Sequence, residues 1–151
     1  MIGYLDTSAV IPLLVVESSS VRCRRFWDDL DGAVASRLLY VEAVGALARA
    51  HRAGRLSFQS YGDSLQVLDQ IWSEVTVIEV SDSVVRRAAM LASQFGLRGY
   101  DAVHCACAEQ IEKQDIVAAS GDKQLLGAWA ALGIDTFDSN ADFQTINLKG
   151  K

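Results

Sequence analysis

The sequence predicts an α/β domain, a parallel sheet of about five strands flanked by helices, and three observations carry that prediction. Short runs rich in Val and Ile alternate along the chain with longer stretches of helical apolar spacing. The short runs are nearly continuous in apolar residues, as parallel strands covered on both faces are. Glycines stand where the helical stretches should stop, at Gly54, Gly96 and Gly133.

Taken in order, residues 2–6 form the first strand, an apolar Ile-Gly-Tyr-Leu run closed by Asp6. A short helix over 8–15 follows, then an arginine-bearing helix over 19–29 with Arg22, Arg24 and Arg25. Residues 33–36 are the second strand. The helix over 38–53 carries Glu42, with Gly45, Ala46 and Arg49 on the same face, and runs toward His51, Arg52 and Arg55. Ser57 is placed to cap a helix over 57–73, and Ser81 or Asp82 one over 82–95. Between these lies the third strand, 75–80. Asp101 opens a helix over 101–113, which leads into the strand 116–119. A helix over 123–132 and a last strand, 134–137, complete the alternation. Residues 1–139 read as a single domain and 140–151 as a polar tail.

Composition removes several classes of function. Half of the 151 residues are hydrophobic and the mean hydropathy is +0.16, which excludes a disordered tail protein. The longest apolar stretch, about 9–16, contains Pro12 and is far below the ~20 residues of a membrane span. The first residues lack the basic and apolar regions of a signal peptide, so a cytosolic, cytoplasmic location is the expectation. Three cysteines without metal-type spacing read as free thiols, and Cys105 and Cys107 face apart on their helix. The net charge of −5, from 19 acidic and 14 basic residues, lacks the basic balance usual for nucleic-acid binders. The arginines are nevertheless clustered, at 22–25 and 49–55.

Four acids stand out: Asp6, Glu42, Asp101 and Asp122. Asp6 ends the first strand and Asp122 follows the fourth, so neighbouring strands would bring both to the crevice at the carboxyl edge of the sheet. Carboxylates gathered there would repel one another, and a hard divalent cation would relieve that repulsion. Thr7, Ser8 and Ser120 lie beside the acids and are placed to hold them by hydrogen bonds. Ordinary roles compete: Asp6 and Asp122 suit helix caps, and Asp101 suits the positive end of a helix dipole. Glu42, between Val41 and Ala43, fits no capping role, and a buried carboxylate there would be costly if unpaired. His104, one turn beyond Asp101, reads as a packing or hydrogen-bonding residue. Trp27 and Trp72 read as core or interface side chains.

The segments Tyr4-Leu5-Asp6-Thr7-Ser8-Ala9, Val41-Glu42-Ala43, Tyr100-Asp101-Ala102-Val103-His104 and Ser120-Gly121-Asp122-Lys123, in this order and at these separations, resemble the PIN-domain nucleases. More closely, the chain is similar to VapC-type toxins of toxin–antitoxin modules over about residues 1–138. The resemblance implies a PIN fold and endoribonuclease activity dependent on Mg²⁺, with Mn²⁺ as a substitute. It maps the family's acidic quartet, both metal-binding and catalytic, onto Asp6, Glu42, Asp101 and Asp122, with Ser120 as the small hydroxyl residue before the last acid. Asp138 and Asn140 would add outer contacts. It further implies an RNA substrate (tRNA, rRNA or mRNA), a VapB-type antitoxin and a homodimer. The helices over 19–29 and 38–55 would be the antitoxin-facing walls, unless Arg49, Arg52 and Arg55 grip RNA phosphates.

Other readings have different requirements. A housekeeping PIN ribonuclease would use the same acids. A catalytically silent PIN binding module would have no need of all four. A haloacid-dehalogenase phosphatase needs a second Asp where Ser8 stands, and a receiver-like signalling domain would not place a carboxylate at Glu42.

Overall fold

The computed structural model describes residues 1–111 and 115–141. Among these, five parallel strands form one sheet in the order β3-β2-β1-β4-β5. The strands are β1 (Ile2–Leu5), β2 (Gly32–Ser36), β3 (Val75–Ile78), β4 (Ile116–Ser120) and β5 (Asp135–Asp138). The helices are α1 (Thr7–Leu14), α2 (Ser20–Asp28), α3 (Leu38–Arg52), α4 (Phe58–Glu74), α5 (Asp82–Phe95), α6 (Gly99–Ala108) and α7 (Lys123–Ala131). The predicted five-stranded parallel α/β architecture is what the chain adopts.

Two apolar cores cover the two faces of the sheet. Tyr4, Ile116 and Ala118 pack with residues of α5, α6 and α7, among them Leu91, Cys105 and Trp129. On the opposite face Leu5, Ala33, Ala35 and Ala119 pack with α1 to α4, through Val10, Phe26, Leu39 and Leu68. Alternate residues of β1 thus serve opposite cores, as the two-residue repeat of a strand dictates. Trp27 and Trp72 are half-buried against the second core. Cys23, Cys105 and Cys107 are buried free thiols, and burial pushes the first two up to about 11 and about 12.

Local chemistry sets the element ends. Ser57 and Ser81 accept from the Ser60 and Val84 amides, so Ser81 rather than Asp82 caps α5. Gly96 ends α5 with φ 66°, in the left-handed region where a side chain would be strained. The largest boundary difference is at α6. It begins at Gly99 behind an extended Arg98, so Asp101 lies in the first turn instead of at the cap. It ends at Ala108, where Gln110 and Ile111 bond back three residues and tighten the chain. The predicted end at Lys113 and most of the polar tail lie outside the described residues. No helix among the described residues is long and apolar enough to cross a membrane.

The topology positions the site. From β1 the chain passes to β2 and β3 on one side, then crosses to β4 and β5 on the other. The crevice of such a sheet opens at the carboxyl ends of the two strands where the order reverses, here β1 and β4.

Candidate active site

Asp6 stands one residue beyond β1, still extended, and its amide donates to the Ala119 carbonyl at 3.0 Å. It occupies the N-cap position of α1, yet its side chain makes no capping bond. Instead its buried carboxylate receives two hydroxyls on one oxygen: Ser8 Oγ at 2.6 Å and Ser120 Oγ at 2.8 Å, both to Oδ2. The same hydroxyls accept from backbone, Ser8 from the Gly121 amide and Ser120 from the Asp122 amide. Each serine has a single proton, given to Asp6, so the turn after β1 and the turn after β4 are fastened to one carboxylate oxygen.

Glu42 reaches the same region from α3, on the opposite helical layer from α6. Its Oε1 accepts from Thr7 Oγ1 at 3.2 Å and lies 2.7 Å from His104 Nε2. The side chain is 24% exposed, so the costly unpaired burial expected from its neighbours is relieved on both counts. His104 is fully buried, with Nδ1 2.8 Å from the Tyr4 hydroxyl and Nε2 3.5 Å from Asp6 Oδ1. The hydrogen-bonding reading of His104 holds, and its partners are site residues. Tyr4 is the functional neighbour that sequence reasoning missed. Two spacings signalled this line. Tyr4 shares a strand face with Asp6, and His104 shares a helix face with Asp101.

Asp122 is exposed and caps α7, its Oδ1 accepting from the Leu125 amide at 3.0 Å. Its capping role is therefore real, and it leaves the second oxygen without a hydrogen bond among the described residues. Asp101 lies half-buried in the first turn of α6.

Residues 3–127 match the PIN domain family. Over 129 residues the chain is 36% identical to Ribonuclease VapC45 of Mycobacterium tuberculosis, covering 85% of this chain and 90% of that protein. This chain belongs to the PIN-domain family, among the VapC ribonucleases. The PIN fold recurs in FitAcB from Neisseria gonorrhoeae at a TM-score of 0.67 and 19% identity, over 92% of this chain and 98% of that one. A toxin–antitoxin complex from Klebsiella pneumoniae matches at 0.63 and 13% identity, over 94% and 100% of the two chains.

Electrostatics join the four acids of this PIN domain. Burial raises the Asp101 carboxyl above its ordinary range, and the charges of Asp6, Asp122 and Glu42 raise it further, against a smaller lowering by His104. Burial opposes protonation of His104, but the Glu42 bond and the charges of Asp6, Glu42 and Asp101 outweigh it and raise the imidazole. The donors are all oxygens, carboxylate and hydroxyl, a set that suits a hard cation and not a thiophilic one. Among the described residues no three His, Cys, Asp or Glu are grouped to hold an ion directly. One oxygen each of Asp6, Glu42 and Asp122 is already engaged by protein donors. A Mg²⁺-type ion retains several waters and is held through one or two carboxylates, so the donor set fits it in kind.

The remaining predicted residues lie at the margins. Asp138 Oδ1 accepts from the Asn140 amide, and Asn140 Nδ2 donates to the Gly121 carbonyl, so Asn140 braces the turn carrying Asp122. Arg49, Arg52 and Arg55 are exposed at the far end of α3 and beyond it. Arg49 and Arg55 line a cavity of about 390 Å³ with Ile11, Val15, Val16 and Ala46.

Proposed function

We propose that this protein is a metal-dependent endoribonuclease acting as the toxin of a toxin–antitoxin pair. One observation carries the metal requirement: Asp6 and Glu42 converge on one imidazole nitrogen, with His104 Nε2 3.5 Å from Asp6 Oδ1 and 2.7 Å from Glu42 Oε1, and beside them the Asp101 carboxyl is raised by burial first and then by Asp6, Asp122 and Glu42. Kinship with a VapC ribonuclease supports RNA as the substrate. The likeness to a toxin–antitoxin complex supports an antitoxin partner, and a homodimer is part of the same reading.

Asp6 and Asp101 would hold the principal Mg²⁺ or Mn²⁺, with Glu42 and Asp122 completing the surroundings. When bound, such an ion supplies an activated water and charge stabilisation for phosphodiester hydrolysis. The chain's own part is placement. Ser8 and Ser120 fix one Asp6 oxygen, Oδ2, which leaves Oδ1, 3.5 Å from His104 Nε2, as the oxygen available to an ion. Thr7 and His104 do the same for Glu42 through Oε1. Asp122 is oriented by its bond to the Leu125 amide. Groups fixed in this way need no reordering when the substrate arrives. An antitoxin placing a basic side chain among these acids would compete with the ion. Its approach is along α3, where the groove between α1 and α3 beside Arg49 and Arg55 offers an apolar wall with a charged rim.

The test is cleavage of RNA by purified protein with Mg²⁺ or Mn²⁺, repeated in EDTA and with Asp6→Asn and Asp101→Asn. Cleavage should disappear in all three cases while the circular dichroism of both variants stays native. Cleavage that persists in EDTA, or in both variants, overturns the metal mechanism. Growth arrest on expression, relieved by Asp101→Asn, separates a toxin from a housekeeping nuclease.

A further inference from the structure

We propose that His104 is a positioning residue for Glu42, and that Tyr4 sets its imidazole so that the Nε2 proton is aimed at that carboxylate. This rests on Glu42 belonging to the site proposed above. The proton inventory of the line has one consistent solution for a neutral ring. An ionised carboxylate only accepts, so the 2.7 Å contact to Glu42 Oε1 requires the proton on Nε2. Nδ1 is then an acceptor, and the Tyr4 hydroxyl 2.8 Å away is its donor. The bonds run in one direction, from the strand beneath the site to the acid above it.

Packing holds the line in place. Tyr4 and His104 are both fully buried, and Tyr4 meets the His104 and Trp129 rings edge-on at 6.0 and 5.8 Å. Glu42, by contrast, is partly exposed on a long side chain with several rotamers open to it. Its other bond, from Thr7, is longer at 3.2 Å. His104 is therefore the group that keeps Glu42 turned inward rather than toward solvent. The line also crosses between layers, because α6 and α3 lie on opposite faces of the sheet. Tyr4 is two residues before Asp6 and His104 three after Asp101, so the two acids and their positioning pair share rigid supports.

The experiment is Mn²⁺ binding by electron paramagnetic resonance without RNA, alongside cleavage kinetics and melting curves. The proteins are wild type, Tyr4→Phe, His104→Gln and His104→Leu. His104→Leu should weaken Mn²⁺ binding by roughly 10–100-fold, the usual effect of losing such an outer partner, and lower kcat with KM for RNA unchanged. His104→Gln, whose amide N–H can take the place of Nε2–H, should recover part of both. Tyr4→Phe keeps the ring packing and loses the hydroxyl that donates to Nδ1, along with its contacts to Cys107 and the Ser36 backbone away from the acids, so it should fall between wild type and His104→Leu in Mn²⁺ affinity. Full Mn²⁺ affinity and kcat in folded Tyr4→Phe and His104→Gln, with only the melting temperature lowered, would show a purely structural role and overturn the proposal. Failure of the wild-type protein to bind Mn²⁺ would overturn the metal reading, and this role with it.

Discussion

Ser120 Oγ donates to Asp6 Oδ2 at 2.8 Å, across 114 residues of sequence, and meets there the hydroxyl of Ser8. Two hydroxyls on one oxygen hold a single rotamer of Asp6 and join the ends of β1 and β4. Ser120→Ala should lower kcat/KM for RNA cleavage by roughly tenfold or more, the scale of an outer partner's loss. It should lower stability by about 1 kcal/mol for the lost bond. Ser8→Ala should act similarly. The double variant should cost less than the sum, because the two act on the same oxygen, and chemical denaturation with steady-state kinetics measures the shortfall.

Asp101 is held above the ordinary carboxylate range by burial first and then by its acidic neighbours. A carboxyl raised in the folded state contributes its stability below the unfolded value, about pH 4, and loses it as pH climbs through the raised folded value. Without divalent cation, the wild-type protein should therefore lose stability relative to Asp101→Asn between about pH 4 and neutrality. Melting curves in EDTA at both ends of that window check the sign. Asp101→Asn should melt higher near pH 7, by about 2–4 °C for each kcal/mol of relief, while cleaving no RNA. Equal melting temperatures at both pH values would mean that the repulsion does not operate.

Asp122 has two separable duties. Its Oδ1 caps α7 and its charge contributes to the field on Asp101. Asparagine keeps the cap and loses the charge, whereas alanine loses both. Asp122→Asn should reduce cleavage with little change in melting, and Asp122→Ala should reduce it equally with a further loss of about 1 kcal/mol.

Arg49 and Arg55 rim the groove beside α1 and α3. If they hold RNA phosphates, Arg49→Ala with Arg55→Ala should raise KM at unchanged kcat. The salt slope of RNA binding should flatten by about 1.4, at about 0.7 per phosphate contact for a single strand. Unchanged RNA binding with weakened antitoxin binding would assign the groove to the antitoxin instead.

The elements of this fold were legible because each carries its own local signal. Strand runs such as Ile116–Ser120 are apolar on both faces, and Ser57, Ser81 and Gly96 mark helix ends by chemistry that needs no tertiary partner. The adjacency of β1 and β4 was conditional in sequence, since pairing order is a property of the whole sheet. The boundary of α6 was harder, because Gly99 and Tyr100 precede the acid that looks like a cap. The acids were legible as a set because their separations match a family. The hydroxyls beside them were legible too, and Ser8 reaches Asp6 only two residues away, but which acid Ser120, Thr7 and His104 would hold was not, because those bonds form only when elements far apart in sequence meet. Asp6 and Asp122 show the two outcomes of one ambiguity: each stands at an N-cap, and only Asp122 uses its side chain as one.

The placement of β1 at the centre of the sheet, between β2 and β4, carries a consequence for synthesis. Asp6 is synthesised well before its partner Ser120, which lies 114 residues further along the chain. Until β4 arrives, β1 lacks one neighbour and Asp6 lacks one of its two hydroxyls. A nascent or truncated chain ending before β4 therefore has three of the four acids and no assembled crevice. The crevice is thus completed by the strand pairing with the longest sequence separation in the sheet, that of β1 with β4.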